Sequence, residues 1–194
     1  MSGKPGDQDE LARRFEPVAH LDTTGSGPPV EQWHPAFSGD LELTIARDGR
    51  WFYQHREITR HALKKLFAGI LRLEDDGVYY LVTPAEKYRI QVEDAPFIAL
   101  DLQVEGEGEA RVLWLRTNLD DAFPLGPDHP LTMQITADGR DQAPYVTVRR
   151  NLQARVERNA YYHLVDQTET RTIDGRSQQV VVSMGRVFAL GPAE

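Results

Sequence analysis

At 194 residues, with 40% apolar and 27% charged residues, the chain has the length of one good-sized domain or two small ones and a globular composition. Its net charge of −8 excludes a dedicated nucleic-acid binder, because neutralising phosphates needs a surplus of Lys and Arg. The absence of cysteine excludes disulfides, thiol nucleophiles and thiolate metal sites; with no apolar leader and no run near the roughly eighteen apolar residues that span a bilayer, a cytoplasmic protein without membrane insertion is expected.

Residues 1–35 are polar and punctuated by TGSGPP (24–29). They read as a loose arm and linker with one short helix, Asp9 to Phe15, contributing little to stability. LELTIARDGRWFYQH (41–55) then alternates strictly, with Leu41, Leu43 and Ile45 on one face, before Asp48-Gly49 predicts a two-residue hairpin turn. Thr59 is placed as the N-cap of a helix whose apolar stripe is Leu63, Leu66, Phe67, Ile70 and Leu71, with His61, Lys64, Lys65 and Arg72 opposite.

TPAEKYRIQVEDAPF (83–97) concentrates polar chemistry in a few positions. Thr83-Pro84-Ala85-Glu86 has the form of a capping box with proline at the first helical position, so the stretch is mainly a connector. Thr83, Glu86 and Lys87 are secondary candidates for contacts with a ligand.

Ninety residues after the first hairpin, LTMQITADGR (131–140) repeats its alternation, turn and arginine in register. A second helix, Arg149 to Val165, is expected to place Leu152, Val156, Ala160 and Leu164 inward. Strands are expected after each helix, at 78–82, 88–92, 97–104 and 110–117, then at 169–173, 178–184 and 186–190. The fold class is therefore α+β, from two duplicated hairpin-helix-strands units at 36–95 and 96–190. Both basic islands fall on the expected helices: 56–72 nets +4 and 149–158 nets +3, which leaves −15 on the rest.

The runs PPVEQWHPAFSGDLELTIARDGRWFY, ITRHALKKLFAGIL, DGVYYLVTPAEKYRIQVEDAPFIAL and LRTNLDDAFPLGPDHPL resemble the bacterial domain-of-unknown-function family 1285. The resemblance covers Pro28 to about Leu190 and is densest between Trp33 and Pro130. It implies two related halves, the second superficially like a pleckstrin-homology fold, a nucleotide-like ligand between them and a role in signalling. It implies no activity.

Among chemistry candidates, the loop RTNLDDAFPLGPDHPL (116–131) offers Asn118, Asp120, Asp121, Asp128 and His129 as hard ligands for a divalent cation. No EF-hand or paired-His spacing accompanies them, so no metal is assigned. The loop, with Arg116, is a better candidate for an organic ligand. No Gly-x-Ser-x-Gly elbow or phosphate loop occurs. His61, Lys64, Arg149, Arg150 and Arg155 could give charge-assisted hydrogen bonds to an anion. The leading expectation is a module that binds a small anionic ligand between its halves, with no cofactor. The alternatives are a metal-assisted hydrolase using 116–131 and a protein-interaction adaptor without a ligand.

Overall fold

The computed structural model describes residues 6–23 and 27–193, in two compact units, 1–93 and 94–194. In the first unit the alternating stretch forms β1 (Phe37–Ile45), followed by β2 (Trp51–Tyr53) and β3 (Arg56–Glu57). Only Gly49 of the turn pair takes a positive φ, 83°. The loop closes from Ala46 N–H to Arg50 C=O at 2.8 Å, wider than the expected two-residue turn.

Then come α2 (His61–Gly69), β4 (Leu71–Leu73), β5 (Tyr79–Val82) and β6 (Lys87–Val92). The helix starts after Arg60 without a side-chain cap, so Thr59 is not its N-cap. Leu63, Phe67, Ile70 and Leu71 are buried as the stripe requires, and Leu66 is half-buried. Arg72, expected on the exposed helix face, is a buried β4 residue, because the helix ends at Gly69.

The six strands run in the order β3-β2-β1-β6-β5-β4. Leu43, Ile45, Trp51 and Leu81 are fully buried, and Trp51 stacks on Phe67 at 6.3 Å.

The N-terminal segment corrects the expectation of a loose arm. The helix α1 (Gly6–Arg14) brings Leu11, Phe15 and Val18 into the core, 1%, 0% and 3% exposed. Phe15 meets Phe67 edge-on at 5.0 Å and Tyr88 at 6.2 Å. Asp9 pairs with Arg60 at 3.0 Å. Gly69 is required here, since a Cβ on it would lie 2.3 Å from the Thr23 side chain. The Thr24–Ser26 part of the expected linker lies outside the described residues.

The second unit repeats the topology. It opens with β7 (Phe97–Glu105), β8 (Val112–Thr117) and β9 (Ala122–Pro124). β10 (Leu131–Ile135), β11 (Gln142–Arg149) and β12 (Leu152–Val156) complete the sheet. Its order, β10-β11-β12-β7-β8-β9, is that of the first sheet counted from the other edge. In each unit two antiparallel three-stranded meanders join through one parallel pair, β1 with β6 and β7 with β12. The fold class is thus α+β with duplicated units.

The register of the duplication differs from the one the sequence suggests. LELTIARDGR opens the first meander of its sheet, whereas LTMQITADGR opens the second meander of the other. The expected helix over 149–165 is strand as far as Val156, and only α3 (Arg158–Val165) is helical, capped by Glu157 accepting from Asn159 N–H at 2.7 Å. The second basic island therefore lies mostly on a β-hairpin.

A third sheet, β13 (Glu169–Ile173), β14 (Arg176–Ser183) and β15 (Arg186–Pro192), closes the chain. Buried Ser183 accepts a hydrogen bond from Leu113 N–H at 2.9 Å, anchoring this sheet to β8. No helix among the described residues is long and apolar enough to cross a membrane.

Candidate functional site

Most of the residues singled out from the sequence have structural partners. Thr83 Oγ accepts from Ala85 N–H at 3.3 Å and Glu86 N–H at 3.0 Å, as a cap would, but the chain makes a tight bend there without a helical turn. The Glu86 carboxylate accepts from Tyr88 O–H at 2.8 Å and does not reach back to close the box. Lys87 donates to both oxygens of Glu74, at 3.2 and 3.1 Å, above the Tyr80 ring. Arg72 donates to the same carboxylate and to the carbonyls of Val30 and Trp33, each at 2.8 Å. This network ties residues 30–33 across β4 and β5.

Burial alone would raise the Glu74 carboxyl, but the hydrogen bonds and charges of Arg72 and Lys87 outweigh it and hold the group below its ordinary 4.5. A carboxyl depressed in the folded state stabilises the fold above its unfolded value and loses that contribution as pH falls through the folded one. Wild-type stability should therefore decline as pH falls below about 4.5. Glu74→Gln should be less stable at pH 7 and have a shallower acid limb in urea melts from pH 7 to 3. Parallel acid limbs would show that Glu74 does not carry the linkage.

The loop 116–131 is also committed to the fold. Asn118 accepts from Ile98 N–H at 3.0 Å and donates its own N–H to Ile98 C=O at 2.9 Å. Arg116 lies 3.4 Å from Asp101. Asp120 takes a left-handed turn conformation, φ 69°. The His129 ring stacks on Phe123 at 4.5 Å, its Nδ1 2.9 Å from Thr147 C=O, and Asp128 is exposed. No group of three or more metal-type ligands gathers among the described residues.

The anion-binding expectation loses its main support. Arg149 is almost fully buried, 2.6 Å from Asp121 and over the Phe97 ring. Arg155 pairs with Asp94 at 3.3 Å, and Arg150 sits in the β11–β12 turn with φ 51°. His61 and Lys64 are on α2 in the first unit, His61 exposed and Lys64 half-buried.

A concavity of about 750 Å³ lies elsewhere, on the outer face of the first sheet. Two cross-strand rows frame it. One runs Arg72, Tyr80, Arg89, Asp40, and the other Glu57, Phe52, Thr44, Gln91. Residues 30–33 and Phe37 occupy the β4–β5 end of this face, and the β2-β1-β6 end is open. Between the Asp40↔Arg89 and Thr44↔Gln91 pairs, β1 has three residues where β6 has one. Such a bulge interrupts the ladder, and Glu42 stands exposed within it.

Arg89 makes two hydrogen bonds to Asp40, at 2.7 and 2.8 Å, which lower the Asp40 carboxyl and raise the guanidinium. Glu93 accepts from Arg47 N–H at 2.9 Å. The Thr44 hydroxyl is 3.5 Å from the Gln91 side-chain oxygen Oε1, Phe52 gives an apolar wall and His55 lines the rim. With His55 neutral, three carboxylates face one guanidinium, a formal −2. None of these residues was a sequence candidate. Alternation marks 40, 42, 44, 89 and 91 as outward-facing, but not which outward face lies open.

Two family models match the chain: "Domain of unknown function (DUF1285), N-terminal domain" over residues 28–95, and "Protein of unknown function (DUF1285), C-terminal domain" over 96–190. Among solved structures the chain is similar to a DUF1285 family protein from Silicibacter pomeroyi DSS-3, with TM-score 0.80 and 38% identity over 91% of this chain and 93% of that one. It is also similar to a DUF1285 family protein from Shewanella baltica OS155, with TM-score 0.51 and 30% identity over 65% of this chain and 91% of that one. Comparison with curated proteins gives no match.

Proposed function

Since the chain belongs to the DUF1285 family, whose two domain models together match residues 28–190, we propose its function from geometry: it is a binding module that holds a small polar, amine-bearing ligand in the groove of the first sheet. The carrying observation is the groove's make-up. Glu42 and Glu93 offer carboxylates to an ammonium group, Thr44 and Gln91 offer hydrogen bonds, and Phe52, with Arg50 over one face of its ring at 5.2 Å, offers an apolar wall. A nucleotide's phosphates would meet three carboxylates among the lining residues and one arginine, itself engaged by Asp40, while Arg50 over the Phe52 ring is paired with Asp48 and Glu57. A ligand-responsive module of this kind suits the signalling role that the family resemblance implies.

A thermal-shift panel of diamines, polyamines and amino acids, run beside nucleotides and sugar phosphates, tests the proposal. An amine at 100 times its dissociation constant should stabilise the folded chain by about 2.7 kcal/mol. Glu42→Gln should reduce that shift and Arg149→Lys should leave it unchanged. A wild-type response to anions alone, lost in Arg149→Lys, would return the anionic-ligand reading to first place.

A further inference from the structure

The tip of the β13–β14 hairpin is exposed. Glu169, Thr170, Arg171 and Thr172 are all exposed, so neither face of β13 is covered. On β14 the matching tip residues Arg176 and Ser177 are exposed as well, and full burial begins only at Val180. β15 flanks β14 from Gln178 onward, so β13 is held by β14 alone and has little packing on its own faces. β13 is also an edge, since its one neighbour among the described residues is β14.

Exposed edges are usually blunted by charged side chains, lysine above all, or by proline or a bulge, and the two charges of β13, Glu169 and Arg171, are of opposite sign. β13 has no lysine or proline, and its pairing with β14 runs without a register shift from Glu169↔Val180 to Ile173↔Arg176. Its charges are ordered in a particular way. Residues 168–172 read TETRT, which on reversal becomes TRTET, so the two charges exchange places about Thr170.

From this order we infer that β13 is a self-pairing edge, which joins a second copy of the chain in an antiparallel, twofold-symmetric ladder centred on Thr170. Antiparallel pairing about that residue sets Glu169 opposite the second copy's Arg171 and Arg171 opposite its Glu169. The threonines fall opposite threonines. Opposite-charge and Thr–Thr cross-strand pairs are favourable arrangements for such a ladder, and an isologous contact satisfies both halves at once. Every other register that keeps several pairs loses this match; centred on Arg171, for example, the ladder would set two guanidiniums against each other. Within one chain Arg171 and Glu169 already touch at 2.5 Å, but both are nearly half exposed, and a solvated pair of this kind is readily exchanged for a cross-strand one. The inference is independent of the groove and of any ligand.

The test is the oligomeric state of the full chain, by sedimentation over a wide concentration range at low salt. The wild type should show a concentration-dependent dimer that weakens as salt is added. Glu169→Arg and Arg171→Glu each set like charges opposite one another in both halves and should weaken dimerisation roughly tenfold. An equimolar mixture of the two variants restores both opposite-charge pairs and should recover dimer at close to wild-type strength, as should the double reversal E169R/R171E. Both positions are exposed, so melts of the variants should match the wild type. A wild type that is monomeric at every concentration overturns the inference. So do single reversals without effect, or a mixture that stays monomeric.

Discussion

A chain lacking residues 1–27 should lose more than about 5 kcal/mol of stability, or fail to fold cooperatively in its first unit. The removed segment contributes Leu11, Phe15 and Val18 to the core, and Phe15 lies against both Phe67 and Tyr88. Phe→Ala in a core costs about 3–5 kcal/mol and Leu→Ala about 2–5, against a total stability of about 5–15 kcal/mol for a typical domain. Phe15→Ala alone should therefore cost about 3–5 kcal/mol in urea melts, and Glu16→Ala, at an exposed neighbour, within about 0.5. Equal effects of the two substitutions, or a truncated chain with unchanged melting, would mean that the segment contributes no packing.

Arg149→Met should cost about 3–5 kcal/mol, and so should Asp121→Leu. The side chains of the pair are 4% and 13% exposed, with 2.6 Å between Arg149 Nη2 and Asp121 Oδ2. Removing one partner strands the other charge in a poorly solvated site. Removing both replaces the pair by apolar groups, so the double variant should lose much less than the summed cost of the singles. A double-mutant cycle in denaturant reads the coupling directly. Additive losses would show that Arg149 acts by packing on Phe97 and not through its charge. The result also bears on function, since an arginine committed to a buried aspartate has little to offer a diffusible anion.

The β-strands after the first helix and after the second basic island were legible because alternation of apolar residues is a local signal. All seven expected there are present within about two residues. The N-terminal helix was legible as a helix but not as core. Leu11, Phe15 and Val18 fall at i, i+4 and i+7 in GDQDELARRFEPV, one helical stripe, yet three apolar residues in a polar stretch do not reveal a surface for them to cover. The helix expected over 149–165 failed for an arithmetic reason. Leu152 and Val156, four apart, begin a helical series that continues to Ala160 and Leu164, but with Ala154 they also make an alternating strand. Four is a multiple of two, so residue spacing cannot decide between them. Pairing with β11 and β7 decides it in favour of strand.

The amino-acid order by itself therefore determined the class of the protein, the places of its turns and most of its strands, because these depend on neighbours a few residues away. Which units are topological copies, which arginines meet which aspartates and which sheet face stays open were decided only by tertiary structure. Those properties depend on contacts between residues far apart in the chain: Arg149 and Asp121 are separated by 28 positions and Arg89 and Asp40 by 49. A charge count along the chain finds a basic island at 149–158, and the fold supplies partners at Asp121 and Asp94, outside that window. Ion pairing acts over a few ångströms in space, whereas sequence proximity measures distance along the chain.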